Sequence, residues 1–178
     1  MMIYTCSYQS PLENILLAAD EIGLTGLWFE GQKYFANTLP AERISQETPI
    51  LTEAKRWLDV YFSGEEPKFM PPLHPTGSPF RLAVWQILLQ IPYGQTMTYG
   101  EIAGQLATMK DTDHMSAQAV GGAVGHNEIS IIIPCHRVVG TNGSLTGYAG
   151  GIWKKIRLLE LEKTDMTKFF IPKKGTAL

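Results

Sequence analysis

The chain reads as an α/β (α+β) protein: a small N-terminal α/β unit with antiparallel strands, followed by a helical C-terminal unit that carries a chemically capable cysteine. Three observations predict this. Short apolar runs broken by turn residues fill the first thirty positions, as strands and hairpins do. Capped, amphipathic helical patterns follow from Thr48 onward. Between the two parts lies Glu65 to Gly77, which holds four prolines and a glycine and is the best linker candidate in the sequence. The expected division is therefore 1–77, scaffold and linker, and 78–178, the part that does chemistry.

Taken in order, residues 2–8 form a first strand ended by Ser10-Pro11. Ile15–Ala19 and Leu24–Phe29 flank a turn at Glu21–Gly23 and make a hairpin. Thr48-Pro49 reads as a helix cap with Pro at the first helical position. Leu51, Ala54, Leu58, Tyr61 and Phe62 then recur at helical spacing until Gly64. Ser78-Pro79 repeats the cap signal, and Phe80, Ala83, Val84, Ile87 and Leu88 make one apolar face of a helix. Ile91-Pro92-Tyr93-Gly94 turns the chain. Thr98 and Glu101 have capping-box spacing, opening a helix with Ile102, Ala103 and Leu106. After a polar loop, Ser116 caps Ala117 to Val124, so that two short helices follow one another as in a helix-turn-helix. The second helix is made of small residues and Gln118, which allows close approach to a backbone or a narrow groove.

Composition excludes several classes. The 178 residues are 44% hydrophobic and 18% charged, and no apolar segment approaches the ~20 residues that span a bilayer. Two cysteines, Cys6 and Cys135, make no disulfide framework and suit a reducing, cytoplasmic setting. No CxxC or Cys/His cluster suggests a metal. The net charge of −2 is unevenly spread. Residues 1–78 carry 5 Lys and Arg against 10 Asp and Glu, and residues 79–178 carry 10 against 7. A polyanionic partner would meet the second half.

The chemistry concentrates in Ile129 to Gly140. Ile129–Ile133 is an apolar run that suits a buried strand, and Pro134 stops its ladder. Cys135, His136 and Arg137 follow directly. A thiol becomes a good nucleophile when a base or positive charge favours the thiolate. Asn127, just upstream, is a turn residue whose amide can tie backbone segments together. Downstream, Thr141–Gly151 is glycine-rich with one aromatic residue, Tyr148, as in a loop that approaches a ligand closely. Ile152, Ile156 and Leu159 then face inward on a helix, and Glu162 lies on its apolar flank. A carboxylate pointed inward needs a partner, and a histidine would serve. The tail beyond Lys163 reads as polar and loose.

These residues resemble the methylated-DNA–protein-cysteine methyltransferases. The likeness rests on P-C-H-R-V at Pro134–Val138, I-P-Y-G-Q-T at Ile91–Thr96 with Tyr99, A-V-G-G-A at Ala119–Ala123, Asn127, L-T-G-Y-A-G-G at Leu145–Gly151 and L-L-x-x-E at Leu158–Glu162. It covers about residues 79–163. It implies a winged-helix-like C-terminal domain and direct, single-use transfer of an alkyl group from 6-O-alkylguanine in double-stranded DNA to Cys135, by a monomer without a cofactor. His136 would activate Cys135 through a water, Glu162 would orient His136, and Tyr99 would protonate the leaving guanine. Asn127 would brace the active-site turn. Ala117, Gln118, Ala119, Arg137, Val138, Tyr148, Gly150 and Gly151 would contact DNA or wall the base pocket. In two places the chain departs from the family pattern. Gln118 stands where the family usually has Arg before A-V-G, and the loop Ala107–Met115 is longer. The N-terminal half also lacks the zinc-ligand pattern of some members. On the residues alone a cysteine hydrolase remains a rival, whereas a helix-turn-helix regulator would need a dimer and base-reading side chains that the sequence does not show.

Overall fold

The computed structural model describes residues 1–173. The chain divides into two compact units: Met1–Thr76 with Glu128–Ser130, and Gly77–Asn127 with the chain from Ile131 onward.

In the first unit, β1 (Tyr4–Gln9), β2 (Asn14–Ala19) and β3 (Leu24–Phe29) form an antiparallel meander, with Tyr4 opposite Ala19 and Ile15 opposite Phe29. A bulge at Ala18/Ala19 interrupts the register of β2 and β3. The short strand β4 (Ile44–Ser45) adds to β1 in parallel, so the sheet order is β3-β2-β1-β4 and the sheet is not wholly antiparallel. Helix α1 (Pro49–Phe62) lies against this sheet and buries Leu51, Ala54, Trp57, Leu58 and Tyr61. Thr48 stands at its N-cap position but its side chain makes no capping bond; Pro at the first helical position carries the start. Cys6 is half-buried in β1, and burial pushes its thiol up.

The proline-rich stretch is ordered up to His74. Leu24 N donates to Pro72 O at 2.8 Å and His74 N donates to Leu24 O at 2.8 Å, so this stretch runs beside the first residue of β3. Asp20 fastens the same corner: Oδ1 accepts from the amides of Ile22 and Gly23, and Oδ2 meets His74 Nδ1 at 2.5 Å.

The second unit begins with α2 (Pro79–Leu88), where Ser78 Oγ accepts from Arg81 N at 3.2 Å. Strand β5 (Met97–Thr98) leads into α3 (Tyr99–Met109), capped by Thr98 Oγ1 accepting from Glu101 N at 3.0 Å. Helix α4 (Ala117–Gly125) is capped by Ser116 in the same way. It is fixed to α2 by Trp85 Nε1, which donates to Ala123 O at 2.9 Å. Along α4, a Cβ at Gly121 would make only an ordinary contact with the Tyr99 ring, at 3.9 Å.

The buried strand expected at Ile129–Ile133 does not form. All five residues are buried, but the chain turns. Ile131 has φ 69°, a left-handed conformation that ends any ladder. Ile129 makes only a single-residue bridge. A one-turn 3-10 helix, Cys135–Arg137, follows, then β6 (Val138–Val139). β6 pairs in parallel with β5, Met97 opposite Val138 and Thr98 opposite Val139. That two-residue pairing sets Tyr99, the first residue of α3, in register with the turn that carries Cys135. Helix α5 (Ile152–Leu161) packs on the 3-10 turn. The tail after Lys163 is not loose. Phe170 N donates to Gly143 O and Leu145 N donates to Phe170 O, while Met166 and Phe169 pack on Val139, Leu145 and Leu159. The last five residues lie outside the described part. Among the described residues no helix is long and apolar enough to cross a membrane.

Candidate active site

Cys135 sits at the start of the 3-10 turn and is 6% exposed. Its amide donates to Ile133 O at 2.8 Å, which folds the chain tightly around the thiol. Asn127 is buried, and its Nδ2 donates to the same Ile133 carbonyl at 2.8 Å. Asn127 thus closes the loop that leads from α4 to the cysteine. Burial pushes the Cys135 thiol up. A hydrogen bond from Asn127, the positive charge of Lys155 and the amides of Cys135 and His136 pull the other way without overcoming it. At rest, then, the site holds a neutral thiol amid groups that favour its anion.

The Glu162 carboxyl, at the C-cap of α5, is fully buried and gathers three donors. His136 Nε2 lies 2.5 Å from Oε2, Arg137 Nε donates to Oε1 at 2.8 Å, and Gly94 N donates to Oε1 at 3.1 Å. Burial alone would raise this carboxyl; His136 and Arg137 outweigh it and hold Glu162 well below the usual carboxylate range. A carboxylate only accepts, so His136 carries its proton on Nε2 and its lone pair on Nδ1. Burial also lowers His136, with Arg137 and Lys155 acting in the same direction and Glu162 against, which leaves the resting ring neutral. A neutral imidazole oriented by a carboxylate is a base ready to take a thiol proton.

The I-P-Y-G turn is the cradle of this network. Arg137 Nη1 donates to Ile91 O at 2.7 Å, and its guanidinium lies over the Tyr93 ring at 5.7 Å. Gly94 has φ 78°, and a Cβ there would lie 3.1 Å from Glu162 O. Arg137 is therefore not at the surface with the expected DNA contacts: it is 8% exposed and spent on Glu162 and Ile91. Val138 is likewise fully buried and offers only its carbonyl.

On the other flank, Tyr99 donates its hydroxyl to Thr146 O at 3.1 Å, and burial pushes its pKa up to about 12. It is a proton donor that does not ionise near neutrality. Gly147, with φ 61°, lies under that hydroxyl. A Cβ at Gly150 would come within 2.9 Å of the Tyr148 ring, so glycine is what lets the ring lie there. Gly151, at φ 98°, opens α5. Ala117, Gln118 and Ala119 are all exposed on the first turn of α4.

Sequence reading missed Lys155. Its ammonium is buried and donates to three carbonyls: Val138 at 2.5 Å, Thr146 at 2.8 Å and Gly147 at 3.3 Å. Three acceptors use all three protons of the cation. Burial lowers its pKa to about 8, so it remains charged at neutral pH. The signal was in the sequence, since Ile152, Lys155, Ile156 and Leu159 have i, i+3, i+4, i+7 spacing. A lysine on that face must be buried and must find acceptors.

A buried cysteine, an oriented imidazole and a half-buried phenol define a thiol-based group-transfer protein. Known proteins give it a family. Residues 79–164 match the model for "6-O-methylguanine DNA methyltransferase, DNA binding domain", and residues 2–75 match that for the same proteins' "ribonuclease-like domain". A methylated-DNA–protein-cysteine methyltransferase of Methanosarcina acetivorans is 44% identical over 161 residues, covering 90% of this chain and 98% of the relative. The crystal structure of Mycobacterium tuberculosis O6-methylguanine methyltransferase aligns with a TM-score of 0.77 at 41% identity, covering 91% of this chain and 93% of the other. That organism's OGT protein in complex with DNA aligns with a TM-score of 0.75 at 39% identity, covering 95% of each. The chain belongs to the methylated-DNA–protein-cysteine methyltransferases.

Gly94→Ala meets both a left-handed φ and the Glu162 carbonyl, and is expected to cost about 1–3 kcal/mol in urea unfolding. Acid should also weaken the fold in two stages. His136 is lowered in the folded state, so stability falls as pH drops through its unfolded value of 6.5. Glu162 is lowered as well, so a second loss begins as pH falls through 4.5. Urea midpoints between pH 7.5 and 3.5 should decline in that order, and Glu162→Gln should flatten the lower stage.

Proposed function

We propose that this protein repairs alkylated double-stranded DNA by moving the alkyl group from the 6-oxygen of guanine onto Cys135, once per molecule. The observation that carries this reading is the buried Cys135 thiol on the turn that Asn127 closes, next in sequence to His136 of the His136–Glu162–Arg137 network. The sulfur attacks the alkyl carbon as the carbon–oxygen bond breaks. The thiol proton passes to His136 through a bridging water, and Tyr99 gives its proton to the departing guanine. The proton on His136 then restores Tyr99, so the sum is a thioether and an unmodified base. No oxidant, metal or cofactor is needed for the balance. A thioether is a poor leaving group and no base returns the thiol, which makes the reaction single-use. This differs from a cysteine hydrolase, which would turn over.

Tyr99 is suited to its part because it stays protonated, and Lys155 to stabilising the thiolate. The guanine must leave the stack to reach a thiol this buried. Tyr148, Gly150 and Gly151 then wall the pocket, with Val138 contributing its main chain. Exposed Gln118 fills the gap that the base leaves, while Ala117 and Ala119 let α4 lie close to the minor-groove backbone. Arg137 serves the network and not the DNA. The protein acts as a monomer in the cytoplasm.

Intact mass after mixing with duplex DNA containing 6-O-methylguanine should rise by one methyl group, mapped to Cys135. Methylation of Cys6, or repeated turnover, would sink the assignment. Glu162→Gln should slow single-turnover transfer while leaving DNA affinity little changed; an unaltered rate would make Glu162 a structural anchor only.

Gln118 makes a separate prediction. Unstacking costs a few kcal/mol, and a side chain in the vacated space offsets part of it. Gln118→Ala should slow transfer on duplex DNA and leave the free alkylated base nearly unaffected. Gln118→Arg should tighten duplex binding and steepen its salt dependence by about one phosphate contact. Equal losses on both substrates would place Gln118 in support of the thiol instead.

A further inference from the structure

Glu128 lies next to Asn127 and is 5% exposed. A buried carboxyl group needs partners. Glu128 Oε2 accepts from Trp28 Nε1 at 2.8 Å and from Thr38 Oγ1 at 3.4 Å. Its main chain is held too: Leu27 N donates to Glu128 O at 2.8 Å, and Ser130 N donates to Leu27 O at 3.0 Å. Residues 128–130 are thus fixed to β3 by backbone and side chain together.

The residues on either side shape the surroundings of the thiol. Asn127, just before, bonds the Ile133 carbonyl, which also accepts from Cys135 N. Ile131, just after, has φ 69°. A β-branched residue in that conformation is strained, and such strain persists only where flanking structure over-determines it. Asn127 closes the turn from within, and the hold on Glu128 fixes the chain where it enters. We infer that Glu128 is a positioning residue for alkyl transfer: its bond with Trp28 keeps the 128–133 turn in the form that sets Asn127 against Ile133 and Cys135. Glu128 touches no substrate and acts through Asn127. The inference rests on the reading of Cys135 as the acceptor.

The test compares Glu128→Ala, Glu128→Gln and Trp28→Phe with Leu17→Ala, a buried core substitution in β2 outside residues 128–133. Single-turnover transfer from free 6-O-alkylguanine is measured well below every melting temperature, beside the pH profile of thiol alkylation by iodoacetamide. Glu128→Ala and Trp28→Phe should slow transfer roughly ten- to a hundredfold, as small misplacements at a reacting centre do, and should shift the thiol profile. Glu128→Gln keeps an oxygen that accepts from Trp28 and should recover most of the loss. Leu17→Ala should keep the wild-type rate. A wild-type rate in both Glu128→Ala and Trp28→Phe would overturn the inference, as would an equal slowing in Leu17→Ala. If Glu128→Ala does not fold, Trp28→Phe and Glu128→Gln still decide. Peptide mapping separates the two levels. Alkyl on another residue overturns the Cys135 reading and this inference with it, whereas alkyl on Cys135 with unchanged variants overturns this inference alone.

Discussion

The second unit depends on one buried carboxylate. Glu162 ends α5, yet its side chain joins the amide of Gly94, the guanidinium of Arg137 and the ring of His136. An unpaired charge at this depth would cost several kcal/mol, so the three donors and the acceptor require one another. Loss of one leaves the rest desolvated and unmatched. The constraint reaches three segments far apart in sequence, the I-P-Y-G turn, the 3-10 turn and the end of α5, and makes their mutual placement a condition of burying the charge.

Around that anchor the site is built to be quiet until occupied. The thiol is neutral because it is buried, the imidazole is neutral because it is buried, and Lys155 is the cation that faces them from α5. The thiol alone stands one proton away from its reactive form, and the neutral imidazole is the base that takes that proton. Preorganised dipoles and charges aimed at an anion that does not yet exist lower the barrier without a reorganisation cost at the moment of reaction. Burial, which keeps the thiol neutral, also spares it from soluble electrophiles, which react with thiolates.

Much of this was legible in the residues. The hairpin, the capped helices at Ser78, Thr98 and Ser116, and the inward Glu162 with a histidine partner follow from period, cap chemistry and the cost of burying charge. The failures share a cause, which is that local pattern does not report where backbone bonds go. The Ile129–Ile133 run has the composition of a strand, but Ile131 turns the chain and the bonds go to Leu27 and Asn127 instead. Thr48 has the identity of a cap and makes no capping bond. The resemblance assigns Arg137 to the DNA or the base pocket; only the folded chain brings Glu162 and Ile91 within its reach. Lys155 was readable from its helical phase, and its three carbonyl partners were not.

The β5–β6 pair has a consequence for how such a chain can vary. Tyr99 and the Cys135 turn are aligned through Met97–Val138 and Thr98–Val139, and α4 is tied to α2 through Trp85. The polar loop between α3 and α4 takes no part in either alignment. Its exposed residues close on themselves through Thr112, which bonds Ala107 O and His114 O. Changes of length there would fall outside both alignments. The segment Ala107–Met115 is therefore a place where length could vary beside a centre held by several buried bonds.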